Sequence, residues 1–169
     1  MTNAPVDGPP PRPRAAQMHV VLVNPLIPQN TGSVSRLCAG TYTELHLVGR
    51  LGFSLEDKLL KRAGLDYWPN VVLHLHDSFD DLVAKFAPQR LAFFSSHATR
   101  PYSDFVPQGD SWLVFGTETT GLPVALRERY AEHLFKIPMS PHTRSLNLAT
   151  SVGITLFDSL RQLGFPNLS

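Results

Sequence analysis

The chain has 169 residues, 43% of them hydrophobic and 17% charged, with ten Phe and two Trp; that is material for one buried core and too little charge for general disorder. No run approaches the ~18 consecutive apolar residues of a membrane helix, and the N-terminus lacks the apolar stretch of a signal peptide, so the expectation is a cytoplasmic protein with no membrane partner. Net charge is +1, and with Arg12, Arg14 and Asp7 set aside 13 basic residues face 13 acidic ones, so any nucleic-acid surface must come from local clustering.

Residues 1–17 hold five of the fifteen prolines and few apolar side chains, a composition that cannot offset the entropy of ordering, and read as a flexible tail. Residues 18–169 read as one domain. It opens with Met18-His19-Val20-Val21-Leu22-Val23, a β-branched run closed by Asn24-Pro25, which predicts a buried parallel strand. Further strands are predicted at Leu45 to Val48, Val71 to Leu75, Leu91 to Phe94, Trp112 to Phe115 and Leu134 to Ile137. Phe79, Leu82, Val83 and Phe86 recur at helical spacing, and Asp77, Asp80 and Asp81 at the start suit the helix dipole. The longest helix is predicted from about Ser145 or Leu146 to Leu163, with Leu146, Ala149, Val152, Leu156, Leu160 and Leu163 on one stripe and Gly164 and Pro166 as its stop. Ile154 and Phe157 fall off that stripe, giving the helix a second face to bury, within the domain or against another subunit. Strands alternating with helices make the class α/β: a parallel sheet of about six strands, covered by helices on both faces.

Three junctions stand at the carboxyl ends of predicted strands, where open α/β sheets place ligands. The first runs from Asn24 to Gly32 and leads into a helix, with Asn30 or Thr31 as its cap and Arg36 within its first two turns, where a phosphate would also meet free amides. The second, Phe115-Gly116-Thr117-Glu118-Thr119-Thr120-Gly121-Leu122-Pro123, is a glycine turn in which Glu118 receives a ligand donor or bonds loop amides. It is not G-x-G-x-x-G, and no P-loop occurs anywhere, which removes the main support for nicotinamide or P-loop chemistry. The third runs from Ile137 to Leu148, with Ser145 as a helix cap and Asn147 in the first turn, its amide able to reach back into the loop. Taken singly, each junction reads equally well as a turn or a helix start.

Other candidates are weaker. His74 and His76 share one face of a strand without a third ligand nearby in sequence, which predicts a surface pair and no metal site. Ser95-Ser96-His97 lacks the G-x-S-x-G elbow of a hydrolase. Cys38, the single cysteine, sits in an apolar helical stretch and reads as core. Lys58, Lys61 and Arg62 share one helical face, with Arg50 upstream and Tyr67 and Trp68 following; such a face is either solvated or turned to phosphates.

Taken together and in this order, Asn30-Thr31-Gly32 with Arg36, Gly116-x-Glu118-x-x-Gly121-Leu122, and Ile137-Pro138-Met139 through Ser145-Leu146-Asn147-Leu148 resemble the three motifs of the SPOUT class of S-adenosylmethionine-dependent RNA 2'-O-ribose methyltransferases. The resemblance covers about Met18 to Phe165. Ile27-Pro28-Gln29-Asn30-Thr31-Gly32, Leu51-Gly52-Phe53, Lys61-Arg62-Ala63-Gly64-Leu65-Asp66-Tyr67 and Arg161-Gln162-Leu163-Gly164 narrow it to the TrmL (YibK) type, which methylates the ribose of the tRNA wobble nucleotide, cytidine or a modified uridine at position 34. The resemblance implies a single SPOUT methyltransferase domain, an α/β-knot with a C-terminal trefoil knot, and a homodimer. It implies S-adenosylmethionine as cofactor, S-adenosylhomocysteine as product, and the anticodon loop of tRNA rather than DNA as partner. Phe94, Gly116, Ile137, Met139, Ser145 and Leu146 are then expected to hold the cofactor. Arg36 is expected to be catalytic, and Asn30, Thr31, Glu118, Asn147, Lys58, Lys61 and Arg62 to contact substrate. The alternatives are a SPOUT enzyme acting on another tRNA nucleotide or on rRNA, and a non-catalytic RNA-binding protein that keeps this fold.

Overall fold

The apolar run that opens the domain becomes β1 (His19–Val23), with every residue buried. The computed structural model describes residues 18–58, 60, 62 and 70–169; the proposed tail, Lys61, Tyr67 and Trp68 lie outside the described residues. After β1 come α1 (Pro28–Gly40), β2 (Glu44–Val48), β3 (Leu73–His76), α2 (Phe79–Phe86), β4 (Arg90–Phe94), β5 (Ser111–Phe115), α3 (Val124–Arg129), β6 (Leu134–Phe135) and α4 (Leu148–Gln162). The strands make one six-stranded sheet in the order β3-β2-β1-β5-β4-β6, and every pairing is parallel. The sheet predicted from the alternation of strands and helices is the sheet observed.

Period-two alternation divides the strand residues between two cores. Val20, Leu22, Leu45, Leu47, Leu113 and Phe115 pack with Val34 and Cys38 of α1 and Val152, Leu156 and Leu160 of α4. Val21, Val23, Val48, Phe93, Trp112 and Val114 pack on the other face with Phe79 and Leu82 of α2 and Leu126 of α3. Both faces are therefore covered, and continuous apolar strands are what such burial requires. The last strand is shorter than predicted. Only Leu134 and Phe135 pair with β4, while Lys136 exchanges bonds with the preceding loop, its N–H donating to Arg100 O at 2.8 Å and its carbonyl accepting from Tyr102 N–H at 2.7 Å. The chain leaves the sheet just ahead of Pro138, which has no N–H to donate.

The expected surface pair of histidines is a second correction. His76 is buried, and His46 Nδ1 lies 3.0 Å from its Nε2; the His74 ring stacks on that of His46, centroids 4.5 Å apart. His46 Nε2 in turn lies 3.1 Å from His19 Nδ1, and His19 stacks on Trp112 at 3.8 Å between centroids. Burial, reinforced by the charges of His19, His74, His76 and Lys85, pushes the His46 pKa down to about 2. Burial also lowers those of His19 and His76. His74 and His76 thus meet His46 of the neighbouring strand and Phe86 of α2, which spacing along one strand does not reveal.

Helix α2 has both end signals in its own sequence. Ser78 Oγ accepts the Asp81 N–H at 3.1 Å, Asp80 and Asp81 lie in the first turn, and the helix closes on Ala87 in the left-handed region at φ 46°. A serine cap contributes ~1 kcal/mol, and a non-glycine residue at such a C-terminal position costs ~1 kcal/mol. Urea unfolding of Ser78→Ala is therefore expected to show a loss of ~1 kcal/mol and that of Ala87→Gly a gain of up to ~1 kcal/mol; equal signs would contradict this account of the helix ends.

Candidate functional site

In the strand order β3-β2-β1-β5-β4-β6 the connection after β1 leaves toward β2 on one side, and the connection after β5 leaves past β4 to β6 on the other. The β1/β5 boundary is the switch point at which α/β sheets open a crevice beyond the carboxyl ends of their strands. The loops after β1 and β5 meet there. Glu118, in the loop after β5, accepts the Leu26 N–H at 2.8 Å and the Ile27 N–H at 3.0 Å. Its carboxylate thus lies at the amino end of α1, where a negative charge is favoured.

This contact explains a correction to the start of α1. Asn30 and Thr31 are not caps: the helix begins at Pro28 and its N-cap, Ile27, makes no side-chain capping bond. Pro28 has no N–H to satisfy, and Glu118 of the distant loop takes the neighbouring amides. The earlier start also moves Arg36 into the third turn, away from the free amides of the helix end. Thr31 is fully buried and Asn30 nearly so, so Thr31 packs inside the domain and offers no surface to an RNA. On its other side the β1 loop is held by the loop after β2. Arg50 N–H donates to Asn24 Oδ1 at 3.0 Å and Gly52 N–H to Pro25 O at 2.9 Å. A Cβ on Gly52 would stand 2.8 Å from Leu26 Cα, so only glycine permits this approach.

The loop after β5 closes on itself: Thr117 and Gly121 exchange both backbone bonds, at 3.0 and 3.1 Å. A Cβ on Gly116 would stand 2.0 Å from the Gly121 carbonyl carbon. The third junction ends at Asn147, which caps α4 in place of the predicted Ser145. Asn147 Oδ1 accepts the Thr150 N–H at 3.2 Å and its Nδ2 donates to Asn30 Oδ1 at 2.9 Å. That single side chain both starts α4 and ties it to α1, so the amide reaches a distant helix and not back into its own loop. Ser145 and Leu146 remain in the loop, so Leu146 belongs to a pocket wall and not to the helical stripe.

The loops after β4, β5 and β6 enclose a cavity of about 440 Å³, within the ~300–1,000 Å³ of small-molecule sites. Phe94, Gly116, Ile137, Met139, Ser145 and Leu146 all line it, together with Glu118. Sequence reasoning missed Lys136 and Arg144, two cations in the same wall; both flank motif positions, which was the available signal. Arg36 is not in this wall. It is exposed and lines a neighbouring groove between α1 and α4 with Ser33, Leu37, Gly40, Gly153 and Phe157. The two spaces flank the first turn of α4, with Ser151 in the pocket and Thr150 in the groove. Lys58 and Arg62 are exposed beside buried Leu60, and neither lines the pocket; Lys61 lies outside the described residues.

Comparison with known proteins agrees with this geometry. Residues 17–157 match the SpoU rRNA Methylase family. A protein of Listeria monocytogenes is 48% identical over 153 residues, which cover 89% of this chain and 90% of that one. The tRNA (cytidine(34)-2'-O)-methyltransferase of Methylovorus glucosotrophus is 44% identical, with 86% and 96% covered. A solved structure described as giving insights into the 2-OH methylation of C/U34 on tRNA superposes with a TM-score of 0.84 at 41% identity, with 88% and 97% covered. An AdoMet-bound rRNA methyltransferase from Sinorhizobium meliloti gives 0.79 at 25% identity, and this chain spans 58% of its length.

Replacing Glu118 by Gln removes the charge and one of two equivalent acceptors, for a loss of ~1–3 kcal/mol locally. Hydrogen exchange of the Leu26 and Ile27 amides is expected to speed up by ~5-fold or more in Glu118→Gln, while amides of β3 keep their rates. Unchanged exchange at both amides would contradict the role given to this carboxylate.

Proposed function

The chain belongs to the SpoU rRNA methylase family and is a methyltransferase, and from that premise we propose that it moves a methyl group from S-adenosylmethionine to the ribose 2'-hydroxyl of tRNA nucleotide 34, a cytidine or modified uridine. The observation that carries this reading is the convergence of the second and third motif loops, with the loop after β4, on one pocket whose wall contains every residue expected to hold the cofactor. The substrate comes from the relatives, whose printed names specify cytidine 34 of tRNA and whose lengths this chain covers almost completely. Ribosomal RNA, the substrate in the family's name, is the second reading.

The pocket suits the cofactor. Phe94, Ile137 and Leu146 offer apolar walls to an adenine, the turn at Gly116 exposes backbone groups to its edge, and Lys136 and Arg144 offer cations to a carboxylate. Bound there, S-adenosylmethionine supplies a methyl group on a sulfonium, an electrophile that requires an oxygen nucleophile in line. The role of the protein is to orient that oxygen and stabilise the charge it develops. Arg36 is the proposed catalytic residue, acting as an electrostatic clamp and not as a base, since a guanidinium stays protonated and only donates. It grips the adjoining phosphate and stabilises the alkoxide, while the proton leaves to phosphate or water.

Arg36 borders the pocket without lining it, and the groove that holds it also exposes Phe157. The homodimer belongs with this proposal: a second copy covers the α1–α4 face and closes the site from the Arg36 side. Phe157 is one of the two residues, with Ile154, that fall off the helical stripe. Lys58, Lys61 and Arg62 are the proposed phosphate contacts beyond the pocket, and the anticodon loop presents the unpaired nucleotide that such a site needs. Threading of the C-terminal segment into a trefoil knot and residence in the cytoplasm complete the reading; among the described residues no helix is long and apolar enough to cross a membrane.

The test is transfer from labelled S-adenosylmethionine to bulk tRNA lacking the modification, with the label mapped by nuclease digestion. Label on the ribose of nucleotide 34 is expected, and Arg36→Ala and Arg36→Lys are each expected to lose at least ~10²-fold in kcat with cofactor binding retained. Label on another nucleotide or only on rRNA contradicts the substrate; full turnover by Arg36→Ala contradicts the clamp.

A further inference from the structure

Histidines and carboxylates gather at the amino ends of β1 and β2, at the opposite end of the sheet from the pocket. We propose that His19, Glu44 and His46 bind one divalent transition-metal ion, zinc by donor type, which joins β1 to β2 and takes no part in methyl transfer.

The geometry carries the proposal. Among the described residues, ligand atoms of His19, Glu44 and His46 all lie within 4.8 Å of one another. His19 Nδ1 is 3.1 Å from His46 Nε2, Glu44 Oε2 is 3.6 Å from the first nitrogen and 3.8 Å from the second. Four-coordinate zinc with bonds of ~2.0–2.2 Å holds its ligand atoms ~3.3–3.5 Å apart. Small side-chain shifts therefore bring this triangle to coordination distance.

Each of the three ligands already has the outer partner that metal sites use to orient their ligands. His19 Nε2 donates to Asp110 Oδ1 at 3.0 Å, which leaves Nδ1 with a lone pair facing the centre. His46 Nδ1 lies 3.0 Å from His76 Nε2, and His74 Nε2 donates to Glu44 Oε2 at 2.8 Å. Without an ion the chain of bonds runs His76 to His46 to His19 to Asp110, each neutral ring donating from Nε2. Binding needs only the His46 proton to move to Nδ1 and the His76 proton to its own Nδ1, so no ring changes charge. Glu44 and Asp110 balance the two positive charges of the ion, while Lys85, which packs over Phe86 beside the cluster, opposes it. Side-chain exposure of 15% at Glu44 and 24% at His74 gives the ion a path from solvent.

The experiment uses the untagged full chain, freed of metal by chelation and titrated with Co²⁺ and then Zn²⁺. One equivalent of Co²⁺ is expected to give the visible absorption of a low-coordinate site, Zn²⁺ to displace it, and the melting temperature to rise with zinc. Asp110→Asn, at an exposed carboxylate, is expected to fold normally and to weaken zinc ~10–100-fold; Glu44→Gln is expected to abolish the one-equivalent site. Absence of a saturable site overturns the proposal, as does stoichiometric binding unchanged in Asp110→Asn, which would place the ion on exposed histidines such as His97, His133 or His142.

Discussion

The carboxylate of Glu118 holds together two loops that the sheet alone would leave to diverge. Its two bonds to the Leu26 and Ile27 amides cross the switch point between β1 and β5. Because the acceptor is charged and stands at the amino end of α1, the contact combines charge-assisted hydrogen bonding with the helix dipole. It fixes where α1 starts, and through Asn30 and Asn147 it fixes where α4 starts as well. Pocket, groove and the position of Arg36 all follow from the placement of these two helices over one face of the sheet.

The division of labour along the sheet is equally physical. Carboxyl ends of the strands carry glycine loops whose backbones come too close for a Cβ, at Gly52 and Gly116, and the second of these loops lines the pocket. Amino ends carry imidazoles packed between Trp112 and Phe86, where each buried ring nitrogen needs a partner. One end presents backbone to a ligand; the other is closed by side chains. The α1–α4 face, with Phe157 exposed beside Arg36, belongs to neither end and is the surface proposed to receive a second copy.

Most of the strands were legible because a parallel sheet buried on both faces demands apolar runs, and His19 to Val23 or Ser111 to Phe115 are such runs. Helix α2 was legible because Ser78, Asp80 and Asp81 stand next to the turn they stabilise. Helix starts were misread where the stabilising group is remote: Pro28 opens α1 because Glu118 lies 91 residues away from Ile27. At α4 Ser145 read as the cap, and the contact between Asn147 and Asn30, 117 residues distant, moves the helix start to Asn147. The histidine cluster was invisible for the same reason, since its members come from three strands. The pocket-wall residues proposed to hold the cofactor were legible only through an ordered set of motifs; no one of the three loops points to that chemistry by itself.

The loops after β4, β5 and β6 are proposed to make one nucleoside site. The most direct measurement is a crystal structure of the full chain grown with S-adenosylhomocysteine. The adenosine is expected among Phe94, Gly116, Ile137, Met139, Ser145 and Leu146, with Glu118 still bonded to Leu26 and Ile27. Adenosine seated in the α1–α4 groove, or a Glu118 carboxylate released from those amides to bind it, would contradict the account.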